Sequence, residues 1–201
     1  MTGRIDYHIH TKFCRHAVGE MEDYVQAAIV KDLDEIGFSD HFIMTYLPEA
    51  AVQEDYCMKK EELPVYIKNV KELQETQTNI VIKLGIEADY YEGKENEIKK
   101  LLNPFRFDYI LGSVHVVNDR VIDDDRFRKK PQGHEIFELY RDYFNIIKKA
   151  IQSSLFDAIA HLDLPKKYGD RPQTSISELI DEVIETLSKK KVCVELNTGG
   201  Y

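Results

Sequence analysis

The chain is poor in cysteine, and the few it has are badly placed for cross-linking. Cys14, Cys57 and Cys193 are odd in number, widely spaced and form no C-x-x-C pair. This argues against a disulfide framework and predicts reduced thiols in a cytoplasmic protein. No apolar run approaches the roughly 18 residues of a membrane span. The opening MTGRIDYHIH enters a strand pattern directly, without a basic start followed by an apolar run, so no secretory leader is expected. Internal repeats, low-complexity tracts and Gly/Ser linkers are missing too. So are G-x-x-x-x-G-K-[ST], G-x-G-x-x-G after a strand, and G-x-S-x-G, which leaves nucleotide folds and serine hydrolases without support. Excess positive charge is also lacking: 27 Lys and Arg face 36 Asp and Glu, for a formal net charge of −9. That balance argues against a nucleic-acid binder or an anionic-membrane binder. An anionic substrate stays open, because divalent cations in a cleft reverse the local field.

What is present is a chain able to build a core. Its 201 residues are 43% hydrophobic and 31% charged, which predicts one domain spanning 1–201. Strand-like segments near 4–9, 34–39, 80–87, 107–114, 157–161 and 192–196 are short and rich in Ile, Val, Phe and Tyr, as buried parallel strands are. Helical patterns fall near 20–32, 61–78, 93–102, 134–152 and 175–190. The last opens on SISE, where Ser175 and Glu178 match a capping box, and closes on Lys189–Lys191, which suits the negative end of a helix dipole. Repeated βα units imply an α/β fold with a parallel sheet, either doubly wound or closed as a barrel.

The histidines cluster at the ends of these strands. RIDYHIH ends on His8 and His10, EIGFSDHF on Asp40 and His41, IVIKLGIEADY on Glu87, FDYILGSVH on His115, and FDAIAHLD on His161 with Asp163 beyond. His16 lies in the loop after the first strand, and of seven histidines only His134 falls outside the pattern. In a parallel barrel every strand delivers its C-terminal end to one face. Side chains two apart on a strand share a side, so His8 and His10 can serve one ion. Imidazole with carboxylate suits zinc, iron or manganese, and this set exceeds the needs of a single tetrahedral ion. More than one divalent ion is therefore expected, with Glu87 able to bridge two of them.

Each residue alone has a plainer reading. A lone H-x-H is ordinarily structural, a lone His41 or His161 a hydrogen-bonded core residue, and a lone Glu87 an ion-pair partner. Recurrence at five successive strand ends is what favours metal. Cys14 reads as a small buried residue, Asp40 as a hydrogen-bonding support for its neighbours, and His134 as a surface residue in a helix's first turn. In NDRVIDDDRFRKKPQGH, Arg126, Arg128 and Lys129 are candidates to bind an anionic substrate, set against the reading of a solvated charged loop.

DYHIHTKFCRHAVG, EIGFSDHF, GIEADYYEG, FDYILGSVHVV and FDAIAHLDLPKKYG occur in the order seen in the polymerase and histidinol phosphatase (PHP) superfamily. The chain resembles its histidinol-phosphatase branch from about residue 4 onward. The resemblance implies a distorted, TIM-like (β/α)7 barrel binding up to three divalent metals. By motif, His8, His10 and Glu87 would hold one ion, Glu87, His115 and His161 a second, and His16 and His41 would contribute to a third. It implies a metal-dependent phosphomonoesterase acting on a small phosphorylated substrate, L-histidinol phosphate, in histidine biosynthesis, with His8, His10, Glu87, His115 and His161 as the catalytic set.

One departure stands out. Family members complete the site with a late D-x-H motif, whereas this sequence ends on VCVELNTGGY. Six predicted strands are also fewer than the barrel needs, so the expectation is a barrel lacking its last C-terminal strand or strands. The alternatives are another PHP phosphoesterase, of protein-tyrosine phosphatase or nuclease type, and a catalytically incomplete metal-binding remnant.

Overall fold

The computed structural model describes residues 3–42, 57–125 and 130–197. The chain forms two compact units, Met1–Ala88 with Asn103–Ile110, and Asp89–Leu102 with Leu111–Tyr201.

The first unit is a run of βα repeats. It contains β1 (Ile5–Ile9), α1 (Met21–Val30), β2 (Glu35–Phe38), β3 (His41–Phe42), α2 (Leu63–Thr76) and all but the last residue of β4 (Val81–Asp89). β1 pairs parallel with β2, and β2 and β3 each pair parallel with β4. The helices exist because their apolar residues recur at helical spacing. α1 buries Met21, Val25 and Ala28, and α2 buries Leu63, Tyr66, Val70 and Leu73. α1 starts where the Asp23 carboxylate accepts the Glu20 backbone N–H at 2.9 Å, and the chain leaves it through Asp32 at φ 53°. Residues Leu84 to Asp89 of β4 are all buried, so both faces of this strand are covered, as parallel strands require.

Close packing in this unit turns on one aromatic ring. The ring of Tyr109 lies against the backbone of Gly37 and Gly85, where a Cβ would come within 2.2 Å of its Oη and 2.1 Å of its Cζ. The Tyr109 hydroxyl donates to the Tyr7 carbonyl at 2.6 Å. Beside it Asp108 accepts the Leu84 N–H through Oδ2 at 2.7 Å and returns its own N–H to the Leu84 carbonyl at 2.7 Å. A side chain thus completes the ladder at the point where β4 needs a partner.

The second unit contains α3 (Glu95–Leu102), the last three residues of β5 (Tyr109–Ser113), β6 (Val116–Val117), β7 (Arg120–Val121), α4 (His134–Ser153), β8 (Ala158–Ile159), α5 (Ser177–Lys190) and β9 (Cys193–Val194). β5, β8 and β9 pair in that order, all parallel. β6 and β7 form an antiparallel hairpin whose two turn residues, Asn118 and Asp119, have φ 51° and 59°, as a type I′ turn demands. The stripe Tyr140, Tyr143, Phe144, Ile147 and Ile151 buries one side of α4, which packs on α5. Gly112 repeats the device of the first unit, with Phe156 filling the space a Cβ would occupy.

The α/β alternation matches the sequence pattern, with two corrections. Nine strands occur among the described residues rather than six, because segment 34–39 yields β2 with β3 following at His41, and the short hairpin has too few residues to show alternation. The capping box expected at Ser175 and Glu178 does not form. α5 begins at Ser177, and Ser175 Oγ instead accepts the Ser177 N–H at 3.3 Å, in a local serine turn one step before the helix. His134 opens α4 and is exposed, as expected. No described helix is long and apolar enough to cross a membrane.

Gly85→Ala should cost about 1–3 kcal/mol through overpacking against Tyr109, and Tyr109→Phe about 1 kcal/mol through the lost hydrogen bond. Urea denaturation checks both; an unchanged midpoint for Gly85→Ala would remove Tyr109 from this role.

Candidate metal centre

In the first unit β1 carries His8, and His10 follows one residue past its end. Thr11 then caps a 3-10 helix (Lys12–Cys14), and Arg15 closes it in the left-handed region at φ 64°. That tight reversal brings His16 back over the strand end. His41 enters from β3, in register with Glu87 on β4. The result is a chain of imidazoles, with ring centroids 4.8 Å apart for His8 and His10, 4.5 Å for His10 and His41, 4.9 Å for His10 and His16, and 5.3 Å for His16 and His41.

Glu87 lies at the middle of this group and has no exposed surface. Its Oε2 is 2.9 Å from His8 Nε2, 3.3 Å from His10 Nε2 and 3.1 Å from His41 Nδ1. One carboxylate oxygen offers two lone pairs, so three nitrogens crowd it more than hydrogen bonding requires. The spacing suits another arrangement. Ligand atoms at ~2.0–2.1 Å from a tetrahedral zinc lie roughly 3.3 Å from one another. His8, His10 and Glu87 form a set able to hold a cation, and His10, Cys14 and His16 lie close together beside it.

The protonation pattern is directed by neighbours. His16 Nδ1 lies 3.1 Å from the Cys14 carbonyl, which only accepts, so Nδ1 carries the hydrogen and Nε2 the lone pair. Asp40 is fully buried and accepts the Thr11 backbone N–H and Oγ1–H, both at 2.6 Å. Burial raises its pKa, and the hydrogen bonds from Cys14 and Thr11 oppose that rise. Burial, with Asp40 alongside, also pushes the Cys14 thiol far up, so it stays protonated. Arg15, the arginine inside the histidine motif, is engaged elsewhere. It donates to the Cys57 carbonyl at 2.8 Å and pairs with Glu62.

In the second unit His115 Nδ1 lies 2.5 Å from Asp89 Oδ1, and both residues are almost fully buried. A carboxylate on Nδ1 fixes the tautomer and leaves Nε2 as the ligand atom, an arrangement common among metal-binding histidines. The ring of His161 lies 5.0 Å from that of His115 between centroids, tilted at 56° to it. Its backbone adopts φ 25°, which a residue with a Cβ holds only under restraint. Two side chains provide that restraint: Glu195 accepts the His161 N–H at 2.7 Å, and the Tyr143 hydroxyl donates to its carbonyl at 3.1 Å.

All seven candidate ligands are therefore described. His8, His10, His16, His41 and Glu87 come together in the first unit, and His115 and His161 come together in the second. Arg126, Arg128 and Lys129 lie outside the described residues. Sequence reasoning missed Asp89, although it stands two positions past Glu87 on one strand and so on the same side. It also missed Glu195, whose only signal was its place near a strand end.

A buried cluster of imidazoles and carboxylates on an α/β scaffold defines a metal-binding α/β protein. The chain belongs to the PHP domain family, whose model matches residues 6–199. It is 36% identical to a Deinococcus radiodurans protein named probable histidinol-phosphatase, with all of this chain and 75% of the relative covered. It is also similar to the crystal structure of a histidinol phosphate phosphatase from Lactococcus lactis complexed with zinc, L-histidinol and phosphate. That likeness has a TM-score of 0.82 at 25% identity, covering 98% of this chain and 73% of that one. A structure from Listeria monocytogenes shares the fold, at TM-score 0.74 and 22% identity over 93% of this chain and 77% of that one. The α/β fold of PHP type expected from the motifs is the fold found.

Asp89→Asn should weaken divalent-metal binding about 10–100-fold by loosening His115, measured by competition with a chromogenic chelator. Unchanged affinity would detach His115 from metal binding.

Proposed function

We propose that this protein is a metal-dependent phosphomonoesterase that hydrolyses L-histidinol phosphate to L-histidinol and phosphate. The observation that carries the reading is the convergence of His8, His10 and His41 nitrogens on a single buried oxygen of Glu87. The substrate comes from likeness. Relatives named for histidinol phosphate hydrolysis match along essentially the whole chain, and one structure of similar fold was solved with zinc, L-histidinol and phosphate. The family motifs further assign His16 and His41 to another ion; that assignment is part of the proposal.

The residues set what the chemistry needs. Phosphate monoesters hydrolyse extremely slowly in water, and their transition states ask for charge neutralisation and in-line positioning more than for covalent help. Glu87 and Asp40 place negative charge in the first unit's cluster, and Arg15 is held by Glu62 and backbone carbonyls. These side chains alone repel a phosphate dianion. Divalent ions held by residues such as His8, His10 and Glu87 would supply the missing positive charge and would lower the pKa of a bound water. The protein's part is to turn a chosen ring nitrogen of each imidazole toward the cation, in fixed orientation, on strands or just beyond their ends. The burial of Glu87 and Asp89 keeps bulk water from competing for the ligand atoms.

The test is hydrolysis of histidinol phosphate, a phosphotyrosine peptide and single-stranded DNA in parallel, before and after chelation. Expected is preference for histidinol phosphate, loss on chelation, and a fall on the order of 10²–10³-fold in kcat/KM for His115→Ala. Preference for the peptide or the DNA would move the protein to another PHP activity, and no turnover of any substrate by the metal-loaded protein would leave a metal-binding remnant.

A further inference from the structure

Cys14 touches three of the four histidines of the first unit. Its Sγ lies 3.2 Å from His10 Nδ1 and accepts the His41 backbone N–H at 2.9 Å, while its carbonyl accepts from His16 Nδ1 at 3.1 Å. The side chain has no exposed surface. On its far side Sγ lies 2.7 Å from Asp40 Oδ1.

Counting hydrogens around this sulfur fixes their direction. Asp40 receives hydrogens from Thr11 N and Thr11 Oγ1, both of which can only donate toward a carboxylate. The thiol has a single hydrogen, and at 2.7 Å from a buried carboxylate oxygen it lies on the line to Asp40. The sulfur is then an acceptor toward everything else it meets. The His41 amide brings its own hydrogen, and so must His10 Nδ1. His10 is left with its lone pair on Nε2, the nitrogen 3.3 Å from Glu87 Oε2. An Asp40–Cys14–His10 relay does here what a carboxylate does directly for His115 through Asp89.

From this geometry we infer that Cys14 is a positioning residue: its thiol links Asp40 to His10, sets the His10 tautomer, and holds His41 and His16 in place without itself binding the cation. The inference rests on the metal-site reading above. A serine in its place keeps one donor and its acceptor capacity, but its oxygen sits closer to Cβ and reaches His10 poorly. An alanine removes the relay.

The test uses Co(II) as the probe in the purified full chain, with wild type, Cys14→Ser, Cys14→Ala and, as a control, Cys193→Ser at the exposed cysteine. Wild type should bind Co(II) with visible ligand-field bands and no thiolate-to-cobalt charge-transfer band. Cys14→Ala should lose about 10–100-fold in Co(II) affinity and change the ligand-field bands, Cys14→Ser should fall between, and Cys193→Ser should match wild type. A charge-transfer band that disappears in Cys14→Ser would make the sulfur a ligand and overturn the inference. Affinity and spectrum unchanged in Cys14→Ala would overturn it while leaving the metal reading intact. Failure of the wild type to bind Co(II) would overturn both. A measurement without metal guards against a variant that fails to fold: ring ¹⁵N shifts of wild-type His10 should show the Nδ1–H tautomer, and the Nε2–H tautomer would overturn the inference.

Discussion

The burial of Glu87 is the constraint on which the first unit's chemistry depends. A carboxylate with no exposed surface carries a desolvation penalty of several kcal/mol unless something positive or hydrogen-bonding meets it. Imidazoles meet it from β1, from the loop beyond β1 and from β3. The same crowding that makes the site costly for the polypeptide alone makes it favourable for a divalent ion. Stability and metal affinity are therefore linked here, since whatever binds the folded state and not the unfolded one stabilises it.

Within each unit the structure shows layers of restraint rather than of reactivity. Asp89 orients His115, Glu195 and Tyr143 pin the backbone of His161, and Thr11, Asp40 and Cys14 hold the turn that returns His16. Their effect is geometric, and geometry is what a phosphoryl-transfer site most needs from a protein. The glycines beneath Tyr109 and Phe156 serve the same end at longer range, because they let aromatic rings lock neighbouring strands at close separation.

Much of the fold was legible because burial leaves periodic traces. Each helix appears within three residues of the segment its apolar spacing marks, as in α2, where Leu63, Tyr66, Val70 and Leu73 repeat on one face. Short strands left weaker traces. β6 and β7 are two residues each, too few for alternation, and are made by a turn of two non-glycine residues in the left-handed region. The capping box at Ser175 failed because two local hydrogen-bond patterns compete at serines, and the turn prevailed. Of the site, the ligand types were legible, and so was Asp40 as a support, but the supports Asp89 and Glu195 were not. Asp89 looked like one more acidic residue beside Glu87 until its carboxylate was found on His115.

The sequence by itself determined the chemistry on offer: imidazoles and a carboxylate at strand ends, no excess of positive charge, and an α/β order to carry them. Residue types and spacing suffice for that, since both are properties of the chain alone. Tertiary structure decided which nitrogen of each ring faces the cation, and which carboxylates act as supports rather than as candidate ligands. Those outcomes depend on hydrogen-bond partners far away along the chain, such as Asp40 for Cys14 and Glu195 for His161. Linear spacing carries no record of such meetings; packing creates them.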